Sequence, residues 1–232
     1  MKFFDDDRMA ELDESAFQNA HPYPWVNPAG VLRQEAYETL RAELPPVEIF
    51  ETSFGKPRRH GQAPHDRYKL PYSPDLPISQ AWHDFVAEVH GPEYRTFLAR
   101  MIGNDNFEIS CQWHYTPQGC SVSPHCDAAW KLGSHLLYFN TADDWDPSWG
   151  GETVILDDNG RFSHKSAPAF ADFDRAYGAE SLGNRSLLFI RNQNSWHGVR
   201  EIACPEGYLR KVFLIVIKRQ GMIERFKRLI AA

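Results

Sequence analysis

The chain has 232 residues, of which 42% are hydrophobic and 24% charged, and its formal net charge is −6. This composition suits one globular domain with its own core. The acidic balance argues against a nucleic-acid partner, and no apolar run approaches the roughly 18 residues of a membrane span. The acidic N-terminus lacks the apolar core of a signal peptide, so we expect a cytoplasmic location. Nothing in the sequence indicates an oligomeric state.

The first part of the chain, up to residue 106, is predicted to be mostly helical. Apolar residues recur at helical spacing over residues 31–42, which Pro45-Pro46 follow, and again over 80–101. Residues 51–79 between them are rich in Pro, Gly, His and charge, which predicts a long loop. Loops of this length usually cover a functional site or are disordered.

From residue 107 the pattern changes to short apolar runs separated by Gly, Pro, Asn and Asp. These runs cover 107–115, 134–140, 152–157, 186–191 and 211–218. Short strands with turn residues between them predict a β-sandwich or barrel, because no β-α-β alternation appears. A basic amphipathic helix is predicted at 222–229. We therefore predict one domain over 1–232, mainly β with N-terminal helices, whose catalytic core is 107–218 and whose C-terminal helix lies within 219–232.

Two histidines and an aspartate have the order of a metal site. His125 and Asp127 are two residues apart in a predicted strand, so their side chains face the same side. His197 follows the strand-like run 186–190. This set matches the facial triad that binds non-haem Fe(II) and leaves coordination positions open. The chain has 10 histidines, and on these three residues alone ordinary surface histidines are the simpler interpretation.

The motifs around these residues change that weighing. In order along the chain they are Tyr115-Thr116-Pro117-Gln118-Gly119, Leu137-Tyr138-Phe139-Asn140, Trp149-Gly150-Gly151-Glu152-Thr153, Leu188-Phe189 and Arg210-Lys211-Val212-Phe213-Leu214. With them, residues 111–218 resemble the 2-oxoglutarate- and Fe(II)-dependent oxygenase superfamily, specifically its prolyl-hydroxylase-like branch. The resemblance implies a double-stranded β-helix (jelly roll), an Fe(II) cofactor and 2-oxoglutarate as co-substrate. It also implies a dioxygenase that uses O2, hydroxylates an aliphatic C–H and releases succinate and CO2.

The resemblance also implies roles for individual residues. The family's iron ligands correspond to His125, Asp127 and His197. The basic residue that binds the distal carboxylate of 2-oxoglutarate corresponds to Arg210, whose planar guanidinium suits a bidentate pair with a carboxylate. Lys211 is the alternative candidate for this role, although strand alternation turns its side chain to the opposite side of the strand. The presence of Asp127 argues against the halogenase variant, in which a small residue replaces that ligand.

Two tyrosines are candidates for the co-substrate site. Tyr115 matches a tyrosine that in relatives often hydrogen-bonds to the co-substrate, and Tyr138 is a second candidate for which a core role is equally plausible. Val212 stands where many relatives have a serine, so one hydrogen bond to the co-substrate would be absent or supplied by another group. The glycine-rich motif 149–153 is interpreted as a turn that belongs to the fold and not to the site.

The substrate stays open at this level. The resemblance admits a small molecule, an amino acid or a peptidyl substrate. The charged loop 54–68 suits an anionic or zwitterionic compound but equally a solvated surface, and Trp130 and Lys131 are candidates for the entrance. One alternative is a cupin-like metalloenzyme, or a metal-binding sensor, that does not use 2-oxoglutarate; succinate release would separate them. A Cys–His hydrolase built on Cys126 or Cys120 lacks a supporting nucleophile context.

Overall fold

The computed structural model describes residues 1–220, so the helix predicted at 222–229 lies outside the described residues. Eleven strands are present: β1 Trp25–Val26, β2 Glu51–Ser53, β3 Arg67–Pro71, β4 Phe107–Thr116, β5 Val122–His125, β6 Lys131–Tyr138, β7 Thr153–Asp157, β8 Arg175–Ala179, β9 Ser186–Ile190, β10 His197–Val199 and β11 Arg210–Arg219. They form a seven-stranded sheet, β1-β9-β6-β11-β4-β3-β2, and a four-stranded sheet, β5-β10-β7-β8. All pairings are antiparallel. The mainly β fold predicted from the sequence is confirmed.

Five α-helices precede the long strands: α1 Asp6–Ala10, α2 Glu14–Gln18, α3 Gln34–Ala42, α4 Gln80–Val89 and α5 Pro92–Ile102. Their apolar faces pack against the outer face of the seven-stranded sheet in one aromatic-rich core. Trp82 of α4 is at the centre of this core, with its ring 5.0 Å from Trp113 of β4 and 5.1 Å from Phe213 of β11. Within residues 1–220 no helix is long and apolar enough to cross a lipid bilayer.

The single helix predicted over 80–101 is wrong, because two helices occupy that segment. α4 ends at Val89, and Gly91 serves as the N-cap of α5, whose first residue is Pro92. Proline has no N–H to donate into a preceding turn and its fixed φ suits the first position of a new helix. The continuous apolar spacing on both sides concealed this break.

The segment predicted as a loop, 51–79, contains two strands. β3 pairs with β4, and β2 pairs with β3 at the edge of the large sheet. Leu70 is the one residue of β3 that is buried. A strand with so few apolar residues carries little of the alternation from which strands are predicted. The strand places the 58–67 segment beside the space between the two sheets.

Strand alternation assigns the two faces of the large sheet different roles. Along β11, Phe213, Ile215 and Ile217 face the helices, where they belong to the main core. Arg210 and Val212 face the interior between the sheets. The interior is therefore lined by residues of both sheets, and a polar cavity lies there.

Candidate active site

A cavity of about 260 Å³ opens between the two sheets. Its walls come from β4, β6 and β11 of the large sheet, from β5 and β10 of the small sheet, and from residues 58–67. The three metal-ligand candidates and Arg210 all line it. Polar groups that are far apart in the sequence therefore face one enclosed space.

Pairing of β5 with β10 brings the two candidate histidines together. His125 is the last residue of β5 and His197 the first of β10, and they are direct partners in the antiparallel register. Their ring centroids are 4.3 Å apart. With Asp127 they form the one group of at least three potential metal ligands in residues 1–220, and one ligand atom from each lies within 4.8 Å of the others.

Both histidines have one ring nitrogen committed to the backbone. His125 Nδ1 lies 3.0 Å from the Ser123 carbonyl oxygen, and His197 Nδ1 lies 2.9 Å from that of Ser195. A carbonyl only accepts, so each Nδ1 carries the proton and each Nε2 keeps its lone pair. Such a hydrogen bond orients a metal-binding imidazole and selects its tautomer.

Asp127 is held by two side chains of β6. Lys131 Nζ donates to Oδ1 at 2.7 Å and Ser134 Oγ donates to Oδ2 at 3.2 Å. Arg191 Nε donates to the Asp127 backbone carbonyl at 2.9 Å, which anchors the turn. Oδ1 lies 3.9 Å from His125 Nε2. The carboxylate is thus oriented toward the histidine pair by residues outside the ligand set.

The charge states favour cation binding. Burial lowers the pKa of both His125 and His197, so both rings are neutral near neutral pH. Burial alone would raise the pKa of Asp127, but the nearby positive charge of Lys131, which also donates a hydrogen bond to the carboxylate, is the largest of the effects that outweigh it and hold that pKa below its ordinary value. Two neutral imidazoles and one ionised carboxylate form the donor set expected for a first-row divalent metal such as Fe(II).

Arg210 lines the same cavity and is buried with no carboxylate partner among the described residues. It is 7% exposed. Its Nε donates to the Gly151 carbonyl and its Nη2 donates to Thr153 Oγ1 at 3.1 Å. These bonds leave most of its N–H groups unused. Lys211 faces the other side of the sheet and pairs with Asp144 at 3.0 Å.

Tyr115 requires a correction. It is the register partner of Lys211, so its side chain faces the helices and not the cavity. Its hydroxyl donates to the Pro45 carbonyl at 3.0 Å and its ring stacks on Phe50. A contact between Tyr115 and the co-substrate is therefore excluded by the strand's alternation. His114, one residue earlier, faces the cavity instead.

Tyr138 lies on the cavity side of β6, behind Arg210. The guanidinium carbon of Arg210 is 5.6 Å from the Tyr138 ring centroid, and the Tyr138 hydroxyl donates to Thr153 Oγ1 at 2.9 Å. Tyr138 therefore supports two residues that line the cavity. A direct contact with the co-substrate stays a prediction.

The glycine-rich motif contributes more than a turn, which corrects its assignment to the fold alone. Its Gly151 and Thr153 supply the two hydrogen bonds that position Arg210. Gly151 has φ +94°, and a Cβ there would lie 3.3 Å from Arg210 Cδ. Only glycine combines that backbone conformation with so close an approach. The one feature of the sequence that could have indicated this role is the position of the motif directly before a predicted strand.

Sequence reasoning missed further cavity residues. Arg58, His65 and Arg67 reach the cavity from the predicted loop, and His114 reaches it from β4. His65 packs edge-on against His125 with ring centroids 4.4 Å apart. The sequence shows that the 54–68 segment is charged. The position of this segment depends on β3, which the sequence pattern does not reveal.

Unpaired buried atoms show that this cavity suits an anion as well as a cation. Arg67 Nε and His114 Nε2 are buried without a hydrogen-bond partner. Unpaired buried polar groups are uncommon in folded proteins, where they mark a ligand or water position. Together with the unused donors of Arg210, they fit anionic ligands, of which 2-oxoglutarate is one, beside a metal held by the three ligand candidates.

Comparisons with known proteins agree with this site. Residues 111–216 match the family model described as the 2OG-Fe(II) oxygenase superfamily. No protein of curated function matches the sequence.

Similar folds occur among solved structures. A Pseudomonas putida prolyl-4-hydroxylase has a TM-score of 0.63 at 16% identity, with 90% of this chain and 99% of that chain covered. A Trichoplax adhaerens prolyl hydroxylase, in complex with a hypoxia inducible factor peptide fragment, has a TM-score of 0.63 at 14% identity, covering 92% and 90%. HygX from Streptomyces hygroscopicus, solved with nickel, 2-oxoglutarate and hygromycin B bound, has a TM-score of 0.57 at 14% identity, covering 84% and 83%.

At these identities the neighbours establish the jelly-roll fold, and the family match together with the His-Asp-His cluster establishes the class. Fe(II) and 2-oxoglutarate are the cofactor and co-substrate of that class. Residues 111–216, which contain His125, Asp127, His197 and Arg210, match the 2OG-Fe(II) oxygenase superfamily.

Proposed function

We propose that this enzyme hydroxylates an aliphatic C–H of a small molecule, amino acid or peptidyl substrate. The observation that carries the proposal is the shared cavity, which His125, Asp127, His197 and Arg210 all line. When bound, Fe(II) and 2-oxoglutarate convert O2 into an oxidant strong enough for such a bond and release succinate and CO2. The protein's own residues bind and orient these groups and limit access of water to them.

The three ligand candidates hold the iron through His125 Nε2, His197 Nε2 and a carboxylate oxygen of Asp127. Lys131 and Ser134 each bond one oxygen of Asp127, so they set how the carboxylate is presented. Partners of this kind orient metal ligands and tune their affinity. Neutral imidazoles require no deprotonation before the metal binds.

Arg210 binds the distal carboxylate of 2-oxoglutarate. Burial lowers the pKa of Arg210 in the absence of an anion, which reflects the cost of an unpaired charge in this position. A bound carboxylate offsets that cost with charge-assisted hydrogen bonds. Thr153, already bonded to Arg210, offers a hydroxyl in place of the serine that many relatives carry two residues after the arginine.

Replacement of Arg210 by methionine tests this assignment. Loss of one partner of a buried charge pair typically costs about 3–5 kcal/mol, so the concentration of 2-oxoglutarate needed for succinate release should rise by about two orders of magnitude or more. Binding of Mn(II) to the variant should persist, because Arg210 is not a metal ligand. Metal titration and a succinate assay check the two expectations.

Lys211→Met is the matched control, because it removes the neighbouring positive charge from the opposite face of the same strand. Its 2-oxoglutarate dependence should equal that of the unmodified protein. If Lys211→Met needed more 2-oxoglutarate and Arg210→Met did not, the co-substrate would be bound by the opposite face of β11. That result would contradict the proposal.

The competing function is a cupin-like metalloenzyme, or a metal sensor, that does not use 2-oxoglutarate. Such a protein would bind the metal through the same three residues, but Arg210 would have no co-substrate to bind. If the metal-loaded protein neither binds 2-oxoglutarate nor releases succinate with any substrate, this alternative replaces the proposed hydroxylase.

A further inference from the structure

Three arginines line the cavity without a carboxylate partner among residues 1–220. They are Arg210, which the proposed function assigns to 2-oxoglutarate, and Arg58 and Arg67, which it does not use. Asp127 is the one carboxylate among the residues that line the cavity, and its Oδ1 already accepts from Lys131. Even with iron and one 2-oxoglutarate dianion present, positive charges would outnumber negative ones here. Like charges in a poorly solvated space repel strongly unless an anion joins them.

Arg67 is a preformed donor that lacks an acceptor. Its Nε is buried and unpaired. Burial, the largest cause, and the nearby guanidinium of Arg58 together lower the pKa of Arg67 to about 10. The partner that would relieve both effects is an oxyanion, since a guanidinium binds a carboxylate or a phosphate through parallel hydrogen bonds.

Hydrogen bonds to neighbouring residues hold the Arg58 side chain in place. Its guanidinium donates to Gln62 Oε1 at 3.3 and 3.4 Å, and Gln62 Nε2 donates to the Ser166 carbonyl at 3.2 Å. The same segment is tied to β5, because Ser123 Oγ donates to the Ala63 carbonyl and also lies 3.1 Å from His65 Nε2.

Arg67 and Arg210 lie on different, non-adjacent strands of the large sheet. Arg67 belongs to β3 and Arg210 to β11, and β4 lies between these strands. Neighbouring strands are about 4.8 Å apart, so the two backbones are separated by roughly 10 Å. His114 of β4, with its unpaired Nε2, lies on the strand between them. Arg67 and Arg210 therefore extend into the cavity from separate strands, and Arg67 is available for an anion other than the one that Arg210 binds.

We propose that Arg58 and Arg67 bind an oxyanion group, a carboxylate or a phosphate, of the substrate that is oxidised. This inference rests on the proposed function, since it presumes that 2-oxoglutarate occupies the Arg210 position. It selects small anionic substrates over neutral ones and orients the reacting C–H toward the metal-ligand cluster. The cavity volume of about 260 Å³ must also hold the co-substrate, which favours a compact substrate.

The test is a binding screen on protein loaded with Mn(II) and saturating 2-oxoglutarate, without O2. The probes are N-acetylated amino acids, their neutral amides, and small phosphate monoesters with their dephosphorylated counterparts, and isothermal titration measures binding. An acid or a phosphate ester should bind at least about tenfold more tightly than its neutral counterpart. Equal binding of both members of each pair, or binding of no anion, overturns the proposal. The two arms distinguish carboxylate from phosphate.

Variants then assign the residues. Arg67→Leu should weaken binding of the anionic probe by about tenfold to a hundredfold, and Arg67→Lys should restore part of it. Arg59→Leu removes an exposed arginine of the same segment and should leave probe binding unchanged. Unchanged probe binding in both Arg67→Leu and Arg58→Leu overturns the proposal.

The co-substrate readout separates this inference from the proposed function. The Mn(II)-loaded Arg67→Leu variant should bind 2-oxoglutarate with the same affinity as the unmodified protein. If instead Arg67→Leu loses 2-oxoglutarate and Arg210→Met does not, Arg67 is the co-substrate residue and the inference falls. Failure of the unmodified protein to bind 2-oxoglutarate at all would contradict the proposed function itself.

Discussion

Gly198 follows the ligand candidate His197 at a point where the backbone has no room for a side chain. A Cβ at this residue would lie 2.7 Å from the Val122 carbonyl oxygen and 2.8 Å from Phe170 Cζ. The first contact is with β5, the strand that carries His125. A substitution at Gly198 therefore forces β10 away from β5 and separates the two histidines.

We expect Gly198→Ala to lower the free energy of unfolding by about 1–3 kcal/mol, the usual cost of overpacking. It should also weaken Mn(II) binding, because the distance between the ligand atoms changes. Denaturant unfolding and metal titration measure the two effects. Gly178→Ala in the same sheet is the control, since a Cβ there meets only Glu152 Cγ at 3.4 Å, an ordinary contact. Equal behaviour of the two variants would contradict the argument.

At the same scale, the motifs predicted that the three ligand candidates and Arg210 share one site, and all four line one cavity. The facing of Tyr115 and the placement of Arg58 and Arg67 could not be predicted from the motifs. The ligands and Arg210 stand at fixed places in short motifs of the long strands. Tyr115 was assigned by similarity of position, and the facing of β4 decided against it. Arg58 and Arg67 reach the cavity through the pairing of β3 with β4, a contact between segments about 45 residues apart that no local pattern encodes.

At the scale of elements, the strands rich in apolar residues were predictable and the others were not. β6, β7, β9 and β11 each contain consecutive buried apolar residues, and in β4 buried apolar residues alternate with less buried ones toward its end. β1, β2 and β10 have only two or three residues. Two or three residues are too few to show the alternation of apolar and polar residues from which a strand is predicted. The small strand β10 nevertheless carries His197, so the site depends on an element whose existence is a result of tertiary pairing.

One carboxylate of α4 binds two backbone N–H groups of the N-terminal segment. Glu88 of α4 accepts hydrogen bonds from the backbone N–H groups of Phe3, at 2.9 Å, and Phe4, at 2.8 Å. Both phenylalanines are buried against Phe85, with ring centroids at 5.4 Å. The two hydrogen bonds therefore hold apolar side chains in the main core.

We expect Glu88→Ala to lower the free energy of unfolding by about 1–3 kcal/mol, because it leaves buried N–H donors without an acceptor. Glu88→Gln keeps one acceptor oxygen and should lose less. Denaturant unfolding of both variants measures the difference. The cavity is on the other face of the sheet, so Mn(II) binding should be unchanged in both. A stability of Glu88→Ala equal to that of the unmodified protein would show that the hydrogen bonds of Glu88 add nothing to the stability of the fold.

At the scale of the whole molecule, burial of histidine makes stability depend on pH. His135 of β6 is 1% exposed and its Nδ1 lies 2.7 Å from the Tyr94 hydroxyl of α5. Its Nε2 is buried without a partner. Burial lowers the pKa of His135 from 6.5 to about 3. The residue therefore joins a helix to the large sheet only in its neutral form.

The direction of the effect follows from linkage. Between pH 3 and 6.5 the unfolded chain binds a proton at His135 and the folded chain does not, so stability rises with pH across this window. Each fully released proton corresponds to about 1.4 kcal/mol per pH unit. Acidification from pH 7 to pH 5 should therefore cost about 2 kcal/mol through this residue alone.

Denaturant unfolding of metal-free protein, prepared with a chelator and measured at several pH values, tests this prediction. Metal must be absent because its own binding depends on pH. The double variant Tyr94→Phe/His135→Leu replaces both buried polar partners by apolar side chains, and the slope of its unfolding free energy with pH should fall by about one proton. Tyr94→Phe alone keeps the imidazole and should keep the slope. An identical slope in the double variant and the unmodified protein would mean that His135 is protonated in the folded state, which its burial between α5 and β6 makes too costly.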